Sequence, residues 1–249
     1  MKKLLVLFPA LLLTAGLVSC GGTEGNSGHT VTAEEAKAFI EKDADYVTNA
    51  STGSLIMKME ADLGDGAGYQ PCVEAEAAFD SNEGSLYSYV YQNITELGAE
   101  YMGSTTAGSS ELLVYKSGST YSCLAALNGT KAMEQEGLDE DTALSATTQC
   151  VTTIKSMASS IDASNIIDSI EDDESFSTKS YTVSGDYLTI SASLTSDEAT
   201  GTMSYTFHKK GYISAMSEIQ SNGTITLKTS ESVALNGIVT KYSSLKHLK

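Results

Sequence analysis

The chain carries few residues whose type and spacing could perform catalysis. Its three histidines, His29, His208 and His247, lie far apart, and none has the His-x-x-x-His spacing of a zinc site. No serine occupies a Gly-x-Ser-x-Gly elbow, and no cysteines are spaced Cys-x-x-Cys. We therefore predict that the protein is not an enzyme and that it uses no metal and no cofactor.

A row of tyrosines is the most distinctive polar feature. Tyr87, Tyr89 and Tyr91 alternate, so they lie on one face of a predicted strand. Aromatic rows bind sugars or partner proteins, and they also stabilise sheets as cross-strand neighbours. The stabilising role is the interpretation we favour. Glu74 and Glu76 share one face of the preceding strand, which indicates a solvated edge.

Three cysteines follow position 20: Cys72, Cys123 and Cys150. In an exported protein an odd number allows one disulfide and one free thiol. A Cys123–Cys150 disulfide would tie a strand to the helix that follows it. The spacing alone does not choose this pairing over the others.

The amino-terminal segment has the features of an export signal. Lys2 and Lys3 precede a mainly apolar run, 4–13, which is shorter than the roughly 20 residues of a membrane span. The run leads into Leu17-Val18-Ser19-Cys20. This sequence resembles the lipobox of bacterial lipoproteins, with a leucine three positions before the cysteine and a small residue directly before it.

The lipobox resemblance implies how the protein is anchored. Residues 1–19 would be the signal peptide, and Cys20 would carry a diacylglycerol thioether and an acyl group such as palmitate on its new amino terminus. Two or more acyl chains hold a protein stably on a bilayer. Residues 20–31 are rich in glycine and serine and predict a flexible tether. We expect a lipid-anchored protein on the extracytoplasmic side of the cell membrane or outer membrane.

Charge restricts the partners of the mature chain. The formal net charge of −17 becomes −19 once Lys2 and Lys3 are removed. This acidity argues against nucleic acid as a partner and against adhesion to anionic head groups. The sequence contains no arginine, the residue preferred for forked binding of carboxylates and phosphates. We expect a monomer that contacts the membrane only through its lipid.

Hydrophobic periodicity predicts an α+β fold. A capping box, Thr32 with Glu35, begins a helix over 33–48, and a second helical block spans about 139–161, with a shorter piece at 164–170. Period-two alternation and polar turns predict antiparallel strands before and after this block. No internal repeat divides the chain, so we predict one domain over 32–249.

The order of these elements resembles the superfamily of the bacterial outer-membrane lipoprotein carrier and the mycobacterial lipid-binding lipoproteins. The closest local likeness is the hairpin from Met203 to Ile213, which turns through Lys209-Lys210-Gly211, and it continues into 222–227. The resemblance implies a strongly curved antiparallel half-barrel, packed on one face by the amino-terminal helix and the central helical block. In those families the space between sheet and helices can hold acyl chains.

An apolar ligand would require a concave face that its own side chains leave incompletely filled. The residues predicted to line that face are Leu55, Met57, Met59, Val73, Ala75, Ala77, Phe79, Met203, Tyr205, Phe207, Ile225 and Leu227. Our first hypothesis is therefore a non-catalytic lipoprotein that binds acyl chains. The alternative is a solidly packed binding or scaffold lipoprotein whose sheet face contacts a protein or glycan.

Overall fold

The structure is a computed structural model. It describes residues 28–93, 107–197, 199–237, 239 and 241–248. The predicted signal peptide and Cys20 lie outside these residues. The chain forms two compact units, which we describe separately. Unit 1 contains residues up to Asn49 together with Met57–Gln70 and Ser156–Val233, and unit 2 contains Ala50–Ile56, Pro71–Lys155 and Ala234–Lys249.

Strands dominate the described residues, and their bounds are as follows. The strands are β1 His29–Thr30, β2 Thr52–Asp62, β3 Gln70–Asp80, β4 Ser85–Asn93, β5 Ala107–Ser117, β6 Thr120–Leu127, β7 Thr130–Leu138, β8 Phe176–Ser184, β9 Tyr187–Thr195, β10 Thr200–His208, β11 Ile213–Ser221 and β12 Thr226–Leu235. The helices in the described part are α1 Ala33–Phe39, α2 Ala44–Thr48, α3 Glu140–Ala158 and α4 Ala163–Asp172.

Unit 1 is an antiparallel sheet with two helices packed against one face. Its strand order is β1-β8-β9-β10-β11-β12-β2, with the second half of β2 as the last strand. Helices α1 and α4 pack against each other and against β8. Ala36 from α1 and Ile167 and Ile170 from α4 are fully buried in a core with Ile190 and Phe207 from the sheet. The core therefore lies between this face of the sheet and the two helices.

Unit 2 continues the meander, in the order β2-β3-β4-β5-β6-β7. One face of this sheet carries Phe79 and Leu86, which are buried, and the Lys155 ammonium of α3 lies 5.9 Å from the centre of the Phe79 ring. Strand β7 lies at the edge of the sheet, and every residue from Thr130 to Gly137 is exposed. Its pairing with β6 shifts register twice.

The α+β prediction is wrong. The described residues are 52% strand and 20% helix, and the twelve strands pair antiparallel in a sheet that is neither closed nor strongly curled. Within the described residues the outer strands β1 and β7 each pair with one neighbour. The helices near 140–158 and 163–172 do form, but they are few beside the strands. The half-barrel packed by a helical block is therefore replaced by a broad antiparallel sheet.

The predicted amino-terminal helix is interrupted. The Thr32–Glu35 capping box is confirmed, but α1 ends at Phe39. Lys42 then adopts a positive φ of 50°, and the amides of Glu41 and Asp43 donate to the carbonyls of Lys209 and Lys210. The segment thus pairs with the β10–β11 turn instead of continuing the helix, because those two hydrogen bonds replace helical ones.

The end of the predicted tether is ordered. His29 and Thr30 pair with Val183 and Thr182 of β8, and the Val31 amide donates to the Tyr181 carbonyl at 3.0 Å. Residues 29–31 therefore belong to the sheet of unit 1, because β8 would otherwise present unpaired backbone groups at this edge.

Candidate functional site

The tyrosine row lies on one face of the unit 2 sheet, which we call the aromatic face. Antiparallel pairing places Tyr89 opposite Glu76 of β3 and opposite Glu111 of β5. Tyr87 lies one step along the same face and is buried. The aromatic face thus combines tyrosine rings with carboxylates from both neighbouring strands, because residues facing each other across antiparallel strands share a face.

The chain's own carboxyl-terminal segment, residues Lys241–Leu248, lies on the aromatic face. We call it the C-terminal strap. The ring of Tyr242 stacks on Tyr87 with centroids 4.0 Å apart, and the ring of His247 stacks on Tyr89 at 3.7 Å. The strap has no helical or strand structure, so side chains and single backbone groups provide its contacts.

Glu111 is the buried anchor of the strap. Only 4% of its surface is exposed. Its carboxylate accepts a hydrogen bond from the Tyr87 hydroxyl at 2.6 Å and from the backbone amides of Lys246 at 2.6 Å and His247 at 3.1 Å. These donors satisfy a charge that burial would otherwise penalise. Burial and the contact with Glu111 together raise the pKa of Tyr87, so its phenol stays protonated and donates.

A second carboxylate holds the strap's lysine. The Lys246 ammonium lies 2.6 Å from the Glu76 carboxylate and 4.4 Å from the centre of the Tyr242 ring. Burial alone would raise the pKa of Glu76, but hydrogen bonds from Lys246 and Tyr242 outweigh it and leave that pKa below its ordinary value. A cation between a carboxylate and aromatic rings is favourably placed. The prediction that Glu76 belongs to a solvated edge is therefore wrong, because the strap covers it.

The strap and the sheet enclose a cleft beside Tyr91. Its volume is about 520 Å³, within the range typical of small-molecule sites. The lining residues come from β4, the start of β5, the β6–β7 turn and the strap: Tyr89, Tyr91, Gly108, Ser109, Asn128, Gly129, Lys246, His247 and Leu248. Two of the lining residues are glycines, and because they have no side chain they leave backbone groups accessible at the wall of the cleft.

Several polar groups of the cleft remain available to a ligand. Asn128 has a positive φ of 50°, and its side-chain oxygen accepts from the Ser109 amide at 2.8 Å. This bond orients the side-chain amide of Asn128. Because the oxygen of that amide is the acceptor, the nitrogen is left as a donor. Among the described residues, no hydrogen bond occupies that nitrogen or the phenol oxygens of Tyr89 and Tyr91. The cleft therefore offers an aromatic ring beside fixed donors and acceptors.

The residues predicted to line an apolar cavity divide between the two units. Those fully buried are Leu55, Met59, Ala77, Phe79, Tyr205 and Phe207, and those half-buried are Met57, Val73, Ala75, Met203, Ile225 and Leu227. Met203, Tyr205 and Phe207 share the face of unit 1 that α1 and α4 cover. In unit 1 the helices thus occupy the space that an acyl chain would need, since protein interiors are close-packed.

Unit 1 also contains a buried acid that sequence reasoning missed. Glu218 is 5% exposed, and the Tyr205 hydroxyl donates to one of its oxygens. Within the described residues its second oxygen is buried and accepts no hydrogen bond. Burial raises the pKa of Glu218. Alternation along β11 places Glu218 on the core face, which was the available signal, since a charged residue there breaks the apolar pattern.

The predicted disulfide is not formed in the structure. Cys72, Cys123 and Cys150 are all free thiols. Cys72 and Cys123 are buried, and Cys150 is half-buried on α3. Burial raises the pKa of Cys150 to about 11, so its reactive thiolate is scarce at neutral pH.

Comparisons with known proteins give no family assignment. No protein-family model matches the chain, and no curated protein matches its sequence. Within the described residues no group of three or more metal-ligating side chains converges. No helix in that same part of the chain combines the length and apolarity needed to cross a bilayer. Among the described residues, the cleft and the strap are therefore the candidate functional features.

Proposed function

We propose that the protein is an exported lipoprotein, anchored through Cys20, that binds a neutral glycan without catalysing a reaction. The observation that carries the proposal is the cleft of about 520 Å³ beside Tyr91, where no hydrogen bond among the described residues occupies the phenols of Tyr89 and Tyr91 or the amide nitrogen of Asn128. Aromatic rings stack on the apolar faces of sugars, and nearby amides and hydroxyls bond the sugar hydroxyls.

The charge of the aromatic face favours a neutral ligand over an anionic one. Glu76 already neutralises Lys246, the lysine that lines the cleft. Glu111 lies on the same face, and no arginine exists anywhere in the chain to hold an anion in a fork. Among the described residues that line the cleft, the one lysine that could hold an acidic sugar is therefore already paired with a carboxylate.

The acyl-chain hypothesis receives less support. The helices of unit 1 place Ala36, Ile167 and Ile170 against the face that was expected to line a cavity. Native mass spectrometry of protein purified without detergent tests that hypothesis directly, since a bound lipid would add its mass to the lipid-free chain.

The glycan proposal is tested by replacing Tyr91. Mature protein is screened against an array of neutral glycans, and hits are measured by calorimetry. Tyr91→Ala should weaken binding about 10-fold or more, because it removes the cleft ring for which the described residues provide no stacking partner. Tyr69→Ala, an exposed tyrosine of unit 1, serves as the matched control. Binding to Tyr91→Ala that equals the wild type, or the absence of any glycan hit, refutes the proposal.

A further inference from the structure

We propose that the groove beneath the strap, formed by Glu76, Tyr87, Tyr89 and Glu111, is a receptor site for extended basic peptide segments. In this structure the chain's own C-terminal strap fills the site in cis. The inference rests on the contacts of the strap and does not depend on glycan binding at Tyr91.

Glu111 recognises the main chain of the occupant. Its carboxylate accepts from two successive backbone amides, those of Lys246 and His247. Every residue except proline offers such an amide, so this contact selects an extended backbone and not a side chain. A peptide from another molecule would present the same pair of donors.

Glu76 and the two tyrosine rings select the side chains of the occupant. Glu76 binds the ammonium of Lys246, and Tyr89 stacks on the imidazole of the next residue, His247. The ring of Tyr242, four positions before Lys246, covers Tyr87. The groove therefore fits a segment with a tyrosine, a lysine four residues later, and a flat ring directly after the lysine.

The strap has the character of a bound segment and not of a core element. Tyr242 and Leu245 are half-buried, while its other residues from Lys241 to Leu248 are exposed. Within the described residues no strand pairing joins it to the sheet, and Asn236 and Gly237 after β12 belong to no helix or strand.

Charge complementarity identifies the kind of partner. The strap presents Lys241 and Lys246 to Glu83 and Glu76 of a strongly acidic chain. A basic protein segment would gain the same pairs, whereas an acidic segment would meet unpaired carboxylates. The partner proposed for the groove is therefore a basic segment of another protein.

Binding of the strap to the groove of its own chain determines how much more weakly a separate peptide binds. A short linker gives an effective concentration of about 1 mM, so a segment with a dissociation constant of about 10 μM would leave the groove open about 1% of the time. A peptide in trans would then bind about 100-fold more weakly than to an open groove.

The test uses a fluorescent synthetic peptide spanning residues 241–248 and the full mature chain. Lys246→Glu in the chain places a negative charge of the strap next to Glu76. This repulsion should release the strap and increase the affinity of the groove for the peptide 10- to 100-fold. Lys131→Glu on β7 makes the same charge change outside the groove and should leave affinity unchanged. Adding Glu76→Lys to Lys246→Glu restores a pair of opposite charges in cis, so the strap should close the groove again and a peptide with Lys246→Glu should bind this double variant about as weakly as the normal peptide binds the wild type.

The same experiment contains the results that overturn the inference. Circular dichroism first establishes that each variant folds. Equal peptide affinity for Lys246→Glu, Lys131→Glu and the wild type would show that the strap is a fixed part of the fold. Equal binding of the normal peptide and a peptide with Lys246→Glu to the opened chain would show that Glu76 does not select a basic side chain, and it would also overturn the inference. Peptide binding that persists in Tyr91→Ala would separate this site from the glycan cleft.

Discussion

Truncation of Glu111 should release the C-terminal strap and destabilise unit 2. In Glu111→Ala the Tyr87 hydroxyl loses its acceptor, and the amides of Lys246 and His247 lose theirs. Tyr87 is 1% exposed, so its hydroxyl has no partner for as long as the strap covers it.

The magnitude depends on which of these groups can regain water. Residues 246 and 247 are exposed, so their amides rehydrate when the strap lifts and the net loss there is small. The Tyr87 hydroxyl loses its charged acceptor, but the ring of Tyr242, which covers Tyr87, leaves with the strap and lets water reach it. A hydrogen bond to a charged group contributes about 1.5–3 kcal/mol. We therefore expect the free energy of unfolding to fall by about 1.5–3 kcal/mol.

Urea unfolding followed by circular dichroism measures this change, since the chain contains no tryptophan. Hydrogen exchange with mass spectrometry should show lost protection confined to 241–248 and β4. Glu134→Ala, an exposed carboxylate on β7, should change stability by less than about 0.5 kcal/mol. A Glu111→Ala protein as stable as that control, with unchanged exchange in the strap, would refute the reasoning.

Three further outcomes follow from the structure. Burial raises the pKa of Glu218, so the folded state holds the carboxyl proton more tightly than the unfolded state does. The free energy of unfolding should therefore decline as pH rises above about 4.5. Glu218→Gln should remove that decline when Tm is measured against pH. The pKa of Glu76 is lowered, so its contribution to stability is present above about pH 4.5 and is lost below it. Hydrogen-exchange protection of the strap should therefore fall on acidification in the wild type, and Glu76→Gln should make that fall smaller. Gly201→Ala would place a Cβ 2.2 Å from the Ile219 carbonyl oxygen, and should lower stability by about 1–3 kcal/mol in urea unfolding, whereas Gly237→Ala meets nothing within 4 Å and should not.

Local patterns of the sequence predicted much of the secondary structure. Alternation in 55–61 and 203–207 marks strands that the structure contains, and the Thr32–Glu35 capping box begins α1 as expected. These signals succeed because each depends on residues only a few positions apart. Strand β7 was missed, because exposure of both faces leaves no apolar alternation to detect.

The strap could not be found in this way. Lys246 meets Glu76 across 170 positions of sequence, and the His247 amide meets Glu111 across 136. Residues 241–248 have neither helical nor strand period, so nothing local indicates that they bind anything. The tyrosine row was visible, and its stabilising role was the favoured interpretation, but its partner was expected to be a neighbouring strand and not the carboxyl terminus.

Strand β7 has a consequence for the behaviour of the protein at high concentration. Its outward backbone groups offer a template on which another chain could add a strand, which is the first step of fibre growth. Lys131, Glu134 and Glu136 place charges along that rim, and two register shifts interrupt its regularity. Replacing these charges with apolar residues would leave the fold of the chain intact, yet it would turn the rim into a nucleus for polymerisation.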